Sequence, residues 1–387
     1  MTKVLQIINA MYPFTGGMTQ VTEDIMRVLS ESGNFEQKII CFNEDAESCG
    51  VVTHRNQTVH DDINGVEIIR CGSIAKIASQ LISLTFKREL KNVMDSFRPD
   101  IVILHYPNPF AAHMLLPLLK SGKYSNVKFI LYWHLDIIRQ KILGKLFYWQ
   151  NIKLLERADK IIATSQNYIN GSIFLKRYEA KCVIIPCCVQ DKRILITPEI
   201  QIKADSIRGK YQDKFLSISV GRLVKYKGLD YLIKACEFLD DDFKIFIAGT
   251  GPEEKKLKQL SNNNNIIFLG KISNEDLSAY YLASDVISFP SITKNEAFGI
   301  ALAEGMYFGK PAITFTIPGS GVNYVNIDGL TGIECPNRDI KAFAHSLITL
   351  KNDAELRKTL GDNARERVIN NFTYETFRDK IINAVKF

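Results

Sequence analysis

Residues 215–229 read FLSISVGRLVKYKGL, and this stretch decides the fold class. A short apolar run over 215–220 is followed at once by a glycine turn and then by a helical pattern that starts near Leu229. Short β-branched runs alternate with helical patterns in the same way throughout the chain, which is typical of βαβ units and parallel sheets. The sequence therefore predicts an α/β protein.

The predicted strands fall into two series, one in each half of the chain. The first series is 4–8, 37–41, 66–69, 101–104, 128–132, 160–163 and 182–185, and the second is 215–220, 244–248, 266–269, 285–289 and 312–315. Between them the pattern breaks into an irregular stretch from Pro186 to about Tyr211. We therefore predict a first domain over 1–190 and a second over 191–371. Amphipathic helices follow Asp339, and Thr373 can cap the last of them, at about 372–387.

Length and composition exclude several classes of protein. The chain has 387 residues, too many for one compact core, and 46% hydrophobic with 24% charged residues excludes a disordered or collagen-like chain. The eight cysteines lack zinc-ligand spacing, and most of them are expected to be buried, reduced thiols. The N-terminal apolar run is too short for a signal peptide, and no run reaches the roughly 18 residues of a membrane span. We therefore expect a cytoplasmic protein.

The formal charge of +7, from 49 basic and 42 acidic residues, favours an anionic partner. Nucleic acid, an anionic membrane and a phosphate-bearing substrate all fit this surplus. Residues 1–190 hold 22 basic and 17 acidic side chains, so most of the surplus lies in the first half. No repeat of basic and aromatic residues and no known nucleic-acid-binding motif is evident, so we expect no nucleic-acid partner. The acidic pair Asp61-Asp62 lacks the context of a metal motif and is interpreted as a solvated loop.

Loops that follow strands are the places to search, because open parallel sheets bind ligands at the carboxyl ends of their strands. After 215–220, the loop carries Arg222 and Lys227. The planar guanidinium of an arginine and the compact ammonium of a lysine both suit a pyrophosphate. After the first strand, Gly16 and Gly17 allow backbone N–H groups to approach an anion at a helix start. The alternatives are a solvated basic turn in the first case and structural glycines in the second.

The loop after 285–289 is followed by two glutamates eight residues apart. Residues 290–306 read PSITKNEAFGIALAEGM. If a helix begins near Phe298, Glu296 precedes it and Glu304 lies about two turns inside it, so both can face one ligand. Carboxylates bind vicinal sugar hydroxyls well, and the N–H groups at a helix start favour an anion. The alternative is an amphipathic helix with two incidental glutamates.

Two histidines follow adjacent predicted strands of the first half. Residues 105–109 read HYPNP and residues 133–141 read WHLDIIRQK. A lone histidine is usually a surface or core residue, but His105 and His134 both come at strand carboxyl ends, where ligands bind. They are therefore further candidates for the site.

These segments together resemble the retaining GT-B glycosyltransferases of family four. Glu296 and Glu304 match the Glu-x7-Glu motif of that family, Gly221-Arg222 with Lys227-Gly228 matches its phosphate motif, and Gly16-Gly17 matches its N-terminal glycine loop. The two histidine stretches look like those of bacterial transferases that assemble O-antigen or capsule, many of them mannosyltransferases. The resemblance covers essentially the whole chain. It implies two Rossmann-like domains facing across a cleft, with the last helix returning to the first domain.

The resemblance also implies residue roles. The first domain is expected to bind the acceptor and the second the nucleotide-sugar donor. Glu296, His134, Arg222 and Lys227 are the expected catalytic residues; Arg222 and Lys227 hold the donor diphosphate, while Glu296 orients the sugar. Further donor contacts are implied for Gly17, Lys271, Ile272, Phe298, Gly299, Ile300 and Glu304, the last on the ribose. Acceptor contacts are implied for Gly16, His105, Asp136, Arg139 and Lys141.

One segment departs from the family pattern. Relatives usually carry Pro-x-Gly-Val/Ile-Asp at the end of the first domain, whereas this chain has Pro186-Cys187-Cys188-Val189-Gln190. The missing glycine and aspartate alter a turn, so the substrate contacts of this segment stay open. The adjacent cysteines are expected to be structural, because neighbouring thiols rarely form a relaxed disulfide.

The implied reaction transfers mannose from GDP-mannose, with retention and without a metal or other cofactor, to a polyprenyl-diphosphate-linked oligosaccharide. A UDP-sugar donor carrying glucose, galactose or N-acetylglucosamine is the alternative in the same fold. A non-catalytic scaffold that binds nucleotide-sugar or lipid-glycan is the alternative of another class. The lipid-linked acceptor implies peripheral association with the anionic cytoplasmic face of the inner membrane.

Two segments could carry that association. Residues 120–160 hold nine basic and three acidic residues interleaved with apolar ones, which suits an interfacial helix. A helix that buries its apolar face in the core is the alternative. Residues 74–91 form a second candidate segment with the same two interpretations.

Overall fold

The structure is a computed structural model that describes residues 1–14, 16–45, 50–77, 80–137, 141–261 and 264–387, without the side chains of 141–146. The chain divides into two compact units. The first unit comprises Met1–Thr164, Ser172–Ile185 and Arg378–Phe387, and the second comprises Ser165–Gly171 and Pro186–Phe377. The functional boundary proposed between residues 190 and 191 stays a prediction.

The first unit is built on an eight-stranded sheet. The strands of the unit are β1 (Thr2–Ile7), β2 (Phe35–Phe42), β3 (Val59–Ile63), β4 (Val66–Cys71), β5 (Ala75–Ile77), β6 (Gln80–Ile82), β7 (Ile101–Tyr106), β8 (Lys128–Trp133), β9 (Lys160–Ala163) and β10 (Cys182–Ile184). Strands β5 and β6 form a separate antiparallel pair, and the other eight form the sheet. The sheet order is β10-β9-β8-β7-β1-β2-β4-β3, and only the edge strand β3 runs antiparallel to its neighbour. Strand β7 lies in the middle of this order and is buried along its whole length, which is typical of a parallel sheet covered on both faces.

Four helices of the first unit connect these strands: α1 (Gly17–Glu31), α2 (Phe86–Ser96), α3 (Pro109–Lys120) and α4 (Lys141–Arg157). The start of α3 shows how the sequence sets a boundary. Asn108 caps the helix, since its side-chain oxygen accepts a hydrogen bond from Ala111 N at 3.1 Å, and Pro109 occupies the first helical position. The loop after β7 therefore leads directly into a helix.

The second unit contains a six-stranded, fully parallel sheet. Its strands are β11 (Phe215–Val220), β12 (Phe243–Ala248), β13 (Ile266–Gly270), β14 (Val286–Phe289), β15 (Ala312–Phe315) and β16 (Gly332–Cys335), in the order β13-β12-β11-β14-β15-β16. Its helices are α5 (Gln166–Gly171), α6 (Pro198–Lys210), α7 (Leu229–Ala235), α8 (Glu254–Leu260), α9 (Asn274–Ala283), α10 (Ile300–Tyr307), α11 (Val322–Val325), α12 (Ile340–Asn352) and α13 (Ala354–Asn371). Both units are Rossmann-like, as the sequence predicts.

The last helix, α14 (Tyr374–Val385), begins where predicted. Thr373 Oγ1 accepts a hydrogen bond from Thr376 N at 3.4 Å. Residues 378–387 group with the first unit. There, Lys160 Nζ donates to the carbonyl oxygens of Ala384 and Lys386 at 2.8 and 2.7 Å, which neutralises part of the negative end of the helix.

All twelve predicted strands are confirmed, but two regions predicted to be irregular are ordered. The stretch from Pro186 to Tyr211 contains α6, which starts at Pro198 after the Thr197 cap. The solvated-loop interpretation of Asp61-Asp62 is wrong, because both residues lie in β3. Asp61 Oδ2 accepts a hydrogen bond at 3.0 Å from Nη2 of Arg70, which is buried, so a polar strand is tied to the sheet by an ion pair.

Within the described part of the chain, no helix has the length and apolar character needed to cross a membrane. The described end of α4 packs inward, since Leu154 and Leu155 are fully buried, although Trp149 is 67% exposed. In the segment 74–91, Ile77 and Leu84 are 59% and 77% exposed. Seven cysteines are free thiols, and Cys49 lies outside the described residues.

Candidate active site

The loop after β11 is held against the end of β14 by a glycine. Gly228 has a left-handed backbone with φ of 65°, and a Cβ at this position would lie 2.1 Å from Pro290 O. Only glycine therefore permits this approach between the start of α7 and the loop after β14. The approach brings Lys227 to that loop, with its Nζ 4.7 Å from the centre of the Phe289 ring.

Lys227 and Glu296 form an ion pair at this point. Lys227 Nζ lies 2.5 Å from Glu296 Oε2, and the two side chains are only 14% and 11% exposed. Ser291 Oγ donates a second hydrogen bond to the same carboxylate oxygen at 3.2 Å. The base predicted to hold a diphosphate and the carboxylate predicted to orient a sugar are thus in direct contact.

Three of the four phosphate-motif residues line a cavity at the carboxyl edge of the second sheet. Gly221, Arg222 and Lys227 line it together with Phe289 and Ser291. A Cβ on Gly221 would lie 3.3 Å from Lys227 Cε, so a side chain there would crowd the lysine. The loops after β11 and β14 therefore contribute to one cavity, as the sequence predicts from their places after parallel strands.

The start of α10 lies beside the same aromatic ring. Gly299 has φ of 96°, and a Cβ there would lie 3.4 Å from the Phe289 ring. The helix begins at Ile300, two residues later than predicted. Among the described residues no acceptor faces the N–H groups of Phe298, Gly299 or Ile300, which is usual for the first donors of a helix. These groups are available to a ligand oxygen.

Glu304, the second glutamate of the motif, is fully buried and held by Arg193. Arg193 Nε and Nη2 donate to Glu304 Oε1 and Oε2 at 2.5 and 3.1 Å, a bidentate pair. The side chain of Arg193 is 29% exposed and that of Glu304 is 1% exposed, so Arg193 is the outer partner. Sequence reasoning missed Arg193, because it lies 111 residues upstream and carries no local motif.

Two weaker donor predictions lie elsewhere in the second unit. Lys271 is exposed and Ile272 is half-buried, directly after β13. Neither lines the cavity around Lys227. Their predicted contact with a nucleobase stays a prediction.

The segment that departs from the family pattern is buried. Cys187, Cys188 and Val189 are all at most 5% exposed, and Val189 N donates to Phe372 O at 2.8 Å. This backbone bond ties the segment to the end of α13 within the second unit. The short turn that carries Arg193 follows at once.

In the first unit, His105 and His134 lie in a chain of buried hydrogen bonds. His105 Nδ1 is 3.0 Å from His134 Nε2, and His105 Nε2 is 3.1 Å from Gln6 Oε1. The rings of His105, Tyr132 and His134 are stacked, with centroids 4.3 to 5.5 Å apart. Burial lowers the pKa of His105 to about 3, and burial together with His105 lowers the pKa of His134 well below 6.5. Both rings are therefore neutral at physiological pH.

Asp136 is buried in the loop after β8, where its carboxylate is hydrogen-bonded to neighbouring side chains. Its Oδ1 accepts hydrogen bonds from Trp133 Nε1 at 2.9 Å and from Ser172 Oγ at 2.8 Å. These two bonds fix the position of the carboxylate. Its predicted contact with the acceptor stays a prediction.

The other predicted residues of the first unit lie at helix starts or outside the described residues. Gly16 and Gly17 are exposed at the start of α1, and a Cβ on either would meet no atom within 4 Å. The fold therefore does not require glycine there by space alone. Arg139 lies outside the described residues, and Lys141 begins α4 with a side chain that is not described.

Two family models match the chain, one in each half. Glycosyltransferase Family 4 matches residues 15–193, and Glycosyl transferases group 1 matches residues 201–367. The D-rhamnosyltransferase WbpZ of Pseudomonas aeruginosa is 31% identical over 357 residues, which cover 89% of this chain and 90% of that protein. The chain belongs to the family 4 glycosyltransferases.

A further relative of this glycosyltransferase is O-antigen chain mannosyltransferase C of Escherichia coli. It is 28% identical over 98% of this chain and 97% of that protein. Among solved structures, sucrose-phosphate synthase of Thermosynechococcus elongatus matches with a TM-score of 0.77 at 18% identity, covering 99% and 98% of the two chains. HepE of Anabaena, solved with UDP and glucose, matches with a TM-score of 0.77 at 16% identity over 100% and 99%. These likenesses show the GT-B fold.

Proposed function

We propose that this glycosyltransferase moves mannose from GDP-mannose to a lipid-linked oligosaccharide in the synthesis of a bacterial surface polysaccharide. The second unit binds the donor and the first unit binds the acceptor. The reaction retains the configuration of the anomeric carbon and requires no metal ion.

The ion pair between Lys227 and Glu296 carries this proposal. A nucleotide-sugar has a diphosphate and a hexose joined at one bond, so its site needs a cation and a sugar-binding carboxylate side by side. Lys227 and Glu296 are such a pair, 2.5 Å apart, and Arg222 lines the same cavity as Lys227. The N–H groups at the start of α10 add donors for the phosphate or sugar oxygens.

The proposed chemistry depends on charge stabilisation. The bond between the anomeric carbon and the phosphate oxygen breaks, and the acceptor hydroxyl oxygen bonds to that carbon on the same face. The proton of the hydroxyl passes to the departing phosphate oxygen. Arg222 and Lys227 stabilise the charge that builds on the diphosphate, an effect of about 3 kcal/mol for a well-placed donor.

Glu304 is proposed to bind the ribose hydroxyls, which requires an exchange of partners. Both of its oxygens are already held by Arg193, and its side chain is 1% exposed. A ribose would therefore have to replace or share the bonds that Arg193 donates. Hydrogen bonds to a charged carboxylate contribute about 1.5–3 kcal/mol each, enough for two hydroxyls to compete.

Mannose is proposed because the similarity to O-antigen chain mannosyltransferase C extends over nearly the full length of both chains. A UDP-sugar is the second candidate. HepE was solved with UDP-glucose, and N-acetyl-alpha-D-glucosaminyl L-malate synthase of Bacillus anthracis is 26% identical over 73% of this chain. A rhamnosyl donor is a third possibility, given the similarity to WbpZ.

A donor panel tests the choice of sugar. Purified protein is incubated with GDP-mannose, GDP-rhamnose, UDP-glucose or UDP-N-acetylglucosamine, with and without a membrane extract as acceptor, and nucleoside diphosphate release is measured. The proposal predicts release and transfer with GDP-mannose above all other donors. Turnover with a UDP-sugar but not with saturating GDP-mannose would overturn the donor assignment.

Two measurements on the active reaction test its stereochemistry and metal requirement. Proton NMR of the product is expected to show the same anomeric configuration as in the donor, and EDTA is expected to leave the rate unchanged. An inverted product, or a rate restored only by adding a divalent cation, contradicts the respective part of the proposal.

Peripheral membrane association is proposed from the lipid-linked acceptor and the surface of the first unit. Ile77 and Leu84 expose most of their side chains in a segment that also carries the exposed Lys76 and Lys87. Apolar side chains flanked by lysines suit an anionic lipid surface.

A further inference from the structure

Three adjacent strands of the first unit bring three polar side chains together. Gln6 lies near the carboxyl end of β1, His105 near the end of β7, and His134 directly after β8. Because β1, β7 and β8 are neighbours in the sheet, their ends align. Gln6 and His105 are fully buried and His134 is 6% exposed, so the chain of hydrogen bonds leads from the core outward.

The acceptor at the inner end sets the direction of this chain. Gln6 Oε1 can only accept, so His105 Nε2, at 3.1 Å, carries the hydrogen. A neutral imidazole has one N–H, and His105 Nδ1 is therefore a bare acceptor. It faces His134 Nε2 at 3.0 Å, which must then donate. The remaining nitrogen of His134, Nδ1, is left without a hydrogen.

The surroundings keep both imidazole rings neutral and offer few other hydrogen-bond partners to His105. Burial lowers the pKa of His105 to about 3, so neither ring gains a second proton in the physiological range. Tyr132 stacks on both rings. Thr22 Oγ1 lies 3.4 Å from both nitrogens of His105, but its hydroxyl donates to Met18 O at 2.9 Å.

Gln6 has an unusual environment of its own. Its Nε2 is buried and has no hydrogen-bond partner among the described residues. A buried amide nitrogen without a partner costs stability, and such groups are rare in folded proteins. A leucine or methionine at this position would avoid the cost. The geometry thus indicates that Gln6 is present for the hydrogen bond that its oxygen accepts from His105, and not for stability.

We propose that Gln6 is a positioning residue that fixes His134, through His105, as the tautomer with hydrogen on Nε2. His134 then presents Nδ1 as a hydrogen-bond acceptor for a sugar hydroxyl. No described residue hydrogen-bonds this nitrogen. The inference rests on the proposed function for the identity of the ligand, whereas the tautomer itself does not depend on it.

The tautomer is tested by long-range proton–nitrogen NMR on protein labelled at its six histidines. The signals of His105 and His134 are assigned with the variants His105→Asn and His134→Asn. Both rings are expected to carry hydrogen on Nε2 in the wild type. Hydrogen on Nδ1 of His134 would overturn the inference.

The control of the tautomer by Gln6 is tested with Gln6→Met, which removes the acceptor at similar volume. Gln37→Met is the matched control, because Gln37 is also a buried glutamine, on the neighbouring strand β2, and donates to Met26 O and Ser30 Oγ instead. Gln6→Met is expected to give a mixture of tautomers at His134, and Gln37→Met is expected to leave the spectrum of His134 unchanged. An unchanged His134 in Gln6→Met contradicts the inference.

The kinetic consequence separates positioning from folding. With the preferred donor, Gln6→Met is expected to lower kcat about 10-fold while the KM for the donor changes less than about 2-fold. Gln37→Met should leave both unchanged. A shifted tautomer with unchanged kcat would remove Gln6 from the reaction. Absence of transfer by the wild type with every donor would instead reject the proposed function, while the NMR result still decides the tautomer.

Discussion

The second unit arranges charged side chains in its candidate site, whereas the first unit arranges neutral ones. Lys227 and Glu296 meet as ions with part of their side chains exposed, but Gln6, His105 and His134 meet as neutral groups in the core. Charge suits a site that must hold a diphosphate, while a neutral, directed chain suits recognition of a hydroxyl. The charge surplus of residues 1–190 therefore lies outside the histidine chain.

The largest effect is expected from Lys227. Lys227→Ala removes a cation beside the proposed diphosphate and should lower kcat/KM by about 1000-fold. Lys225→Ala is the matched control, because Lys225 lies in the same short turn but is exposed. The rate of nucleoside diphosphate release with the preferred donor measures both. Equal activity of the two variants would remove the charged pair from the reaction.

The next effect concerns the buried pair in the second unit. Arg193→Ala leaves the carboxylate of Glu304 buried without its cationic partner, and should lower the free energy of unfolding by about 3 kcal/mol. Arg208→Ala breaks the pair with Asp285, which is more exposed, and should cost less than about 1 kcal/mol. Calorimetry compares the two variants.

A double variant separates the pair from general damage. Arg193→Met combined with Glu304→Gln removes both charges and should recover more than half of the stability lost in Arg193→Ala. Equal losses in Arg193→Ala and Arg208→Ala would show that the Arg193 pair is no more critical than a partly exposed one.

The neutral histidines predict a dependence of stability on pH. The pKa of His105 is about 3 in the folded protein against about 6.5 in the unfolded chain, so only the unfolded chain gains a proton between these values. The stabilisation is complete above pH 6.5 and is lost as pH falls. From pH 7 to pH 4 the loss from His105 is on the order of 3 kcal/mol.

Tryptophan fluorescence measures this dependence in the first unit, which contains both tryptophans, Trp133 and Trp149. His105→Gln should flatten the dependence of urea unfolding on pH relative to the wild type. His113→Gln is the control, because His113 is exposed. Equal slopes for His105→Gln and the wild type would show that the histidine is not held neutral.

The smallest effect is expected at the surface of the first unit. Leu84→Ser should weaken binding to vesicles that contain phosphatidylglycerol by about 5-fold, because less apolar surface enters the lipid. Ile173→Ser, which changes a side chain of the same unit that is 71% exposed, serves as the control. Vesicle sedimentation with neutral and anionic lipid measures the binding. Equal binding of both variants would place the contact elsewhere.

The fold was predictable because its signals are local. Strands such as 215–220 are short apolar runs, and the loop after this one is marked by glycines and basic residues. Strand β3 was missed because its acidic residues read as a loop, and only the buried Arg70 across the sheet explains them. Helix α6 was missed because its weak apolar pattern lies within a stretch of mixed charge.

The candidate site was predictable where a motif is continuous and hidden where contacts are distant in sequence. Lys227 and Glu296 were predicted separately from their own loops, and the structure joins them. Arg193 and Gln6 carry no local motif, and each is recognised only through a partner about 100 residues away. Sequence patterns report what neighbouring residues do, whereas such pairs are formed by the tertiary fold.

The most direct test of the charged donor site is nucleotide binding by Lys227→Ala. Isothermal titration of GDP and of UDP into the wild type, Lys227→Ala and Lys225→Ala measures whether the second unit binds a diphosphate through this lysine. The account predicts that the wild type and Lys225→Ala bind GDP alike, and that Lys227→Ala binds it about 100-fold more weakly. GDP binding by Lys227→Ala with the affinity of the wild type would contradict it.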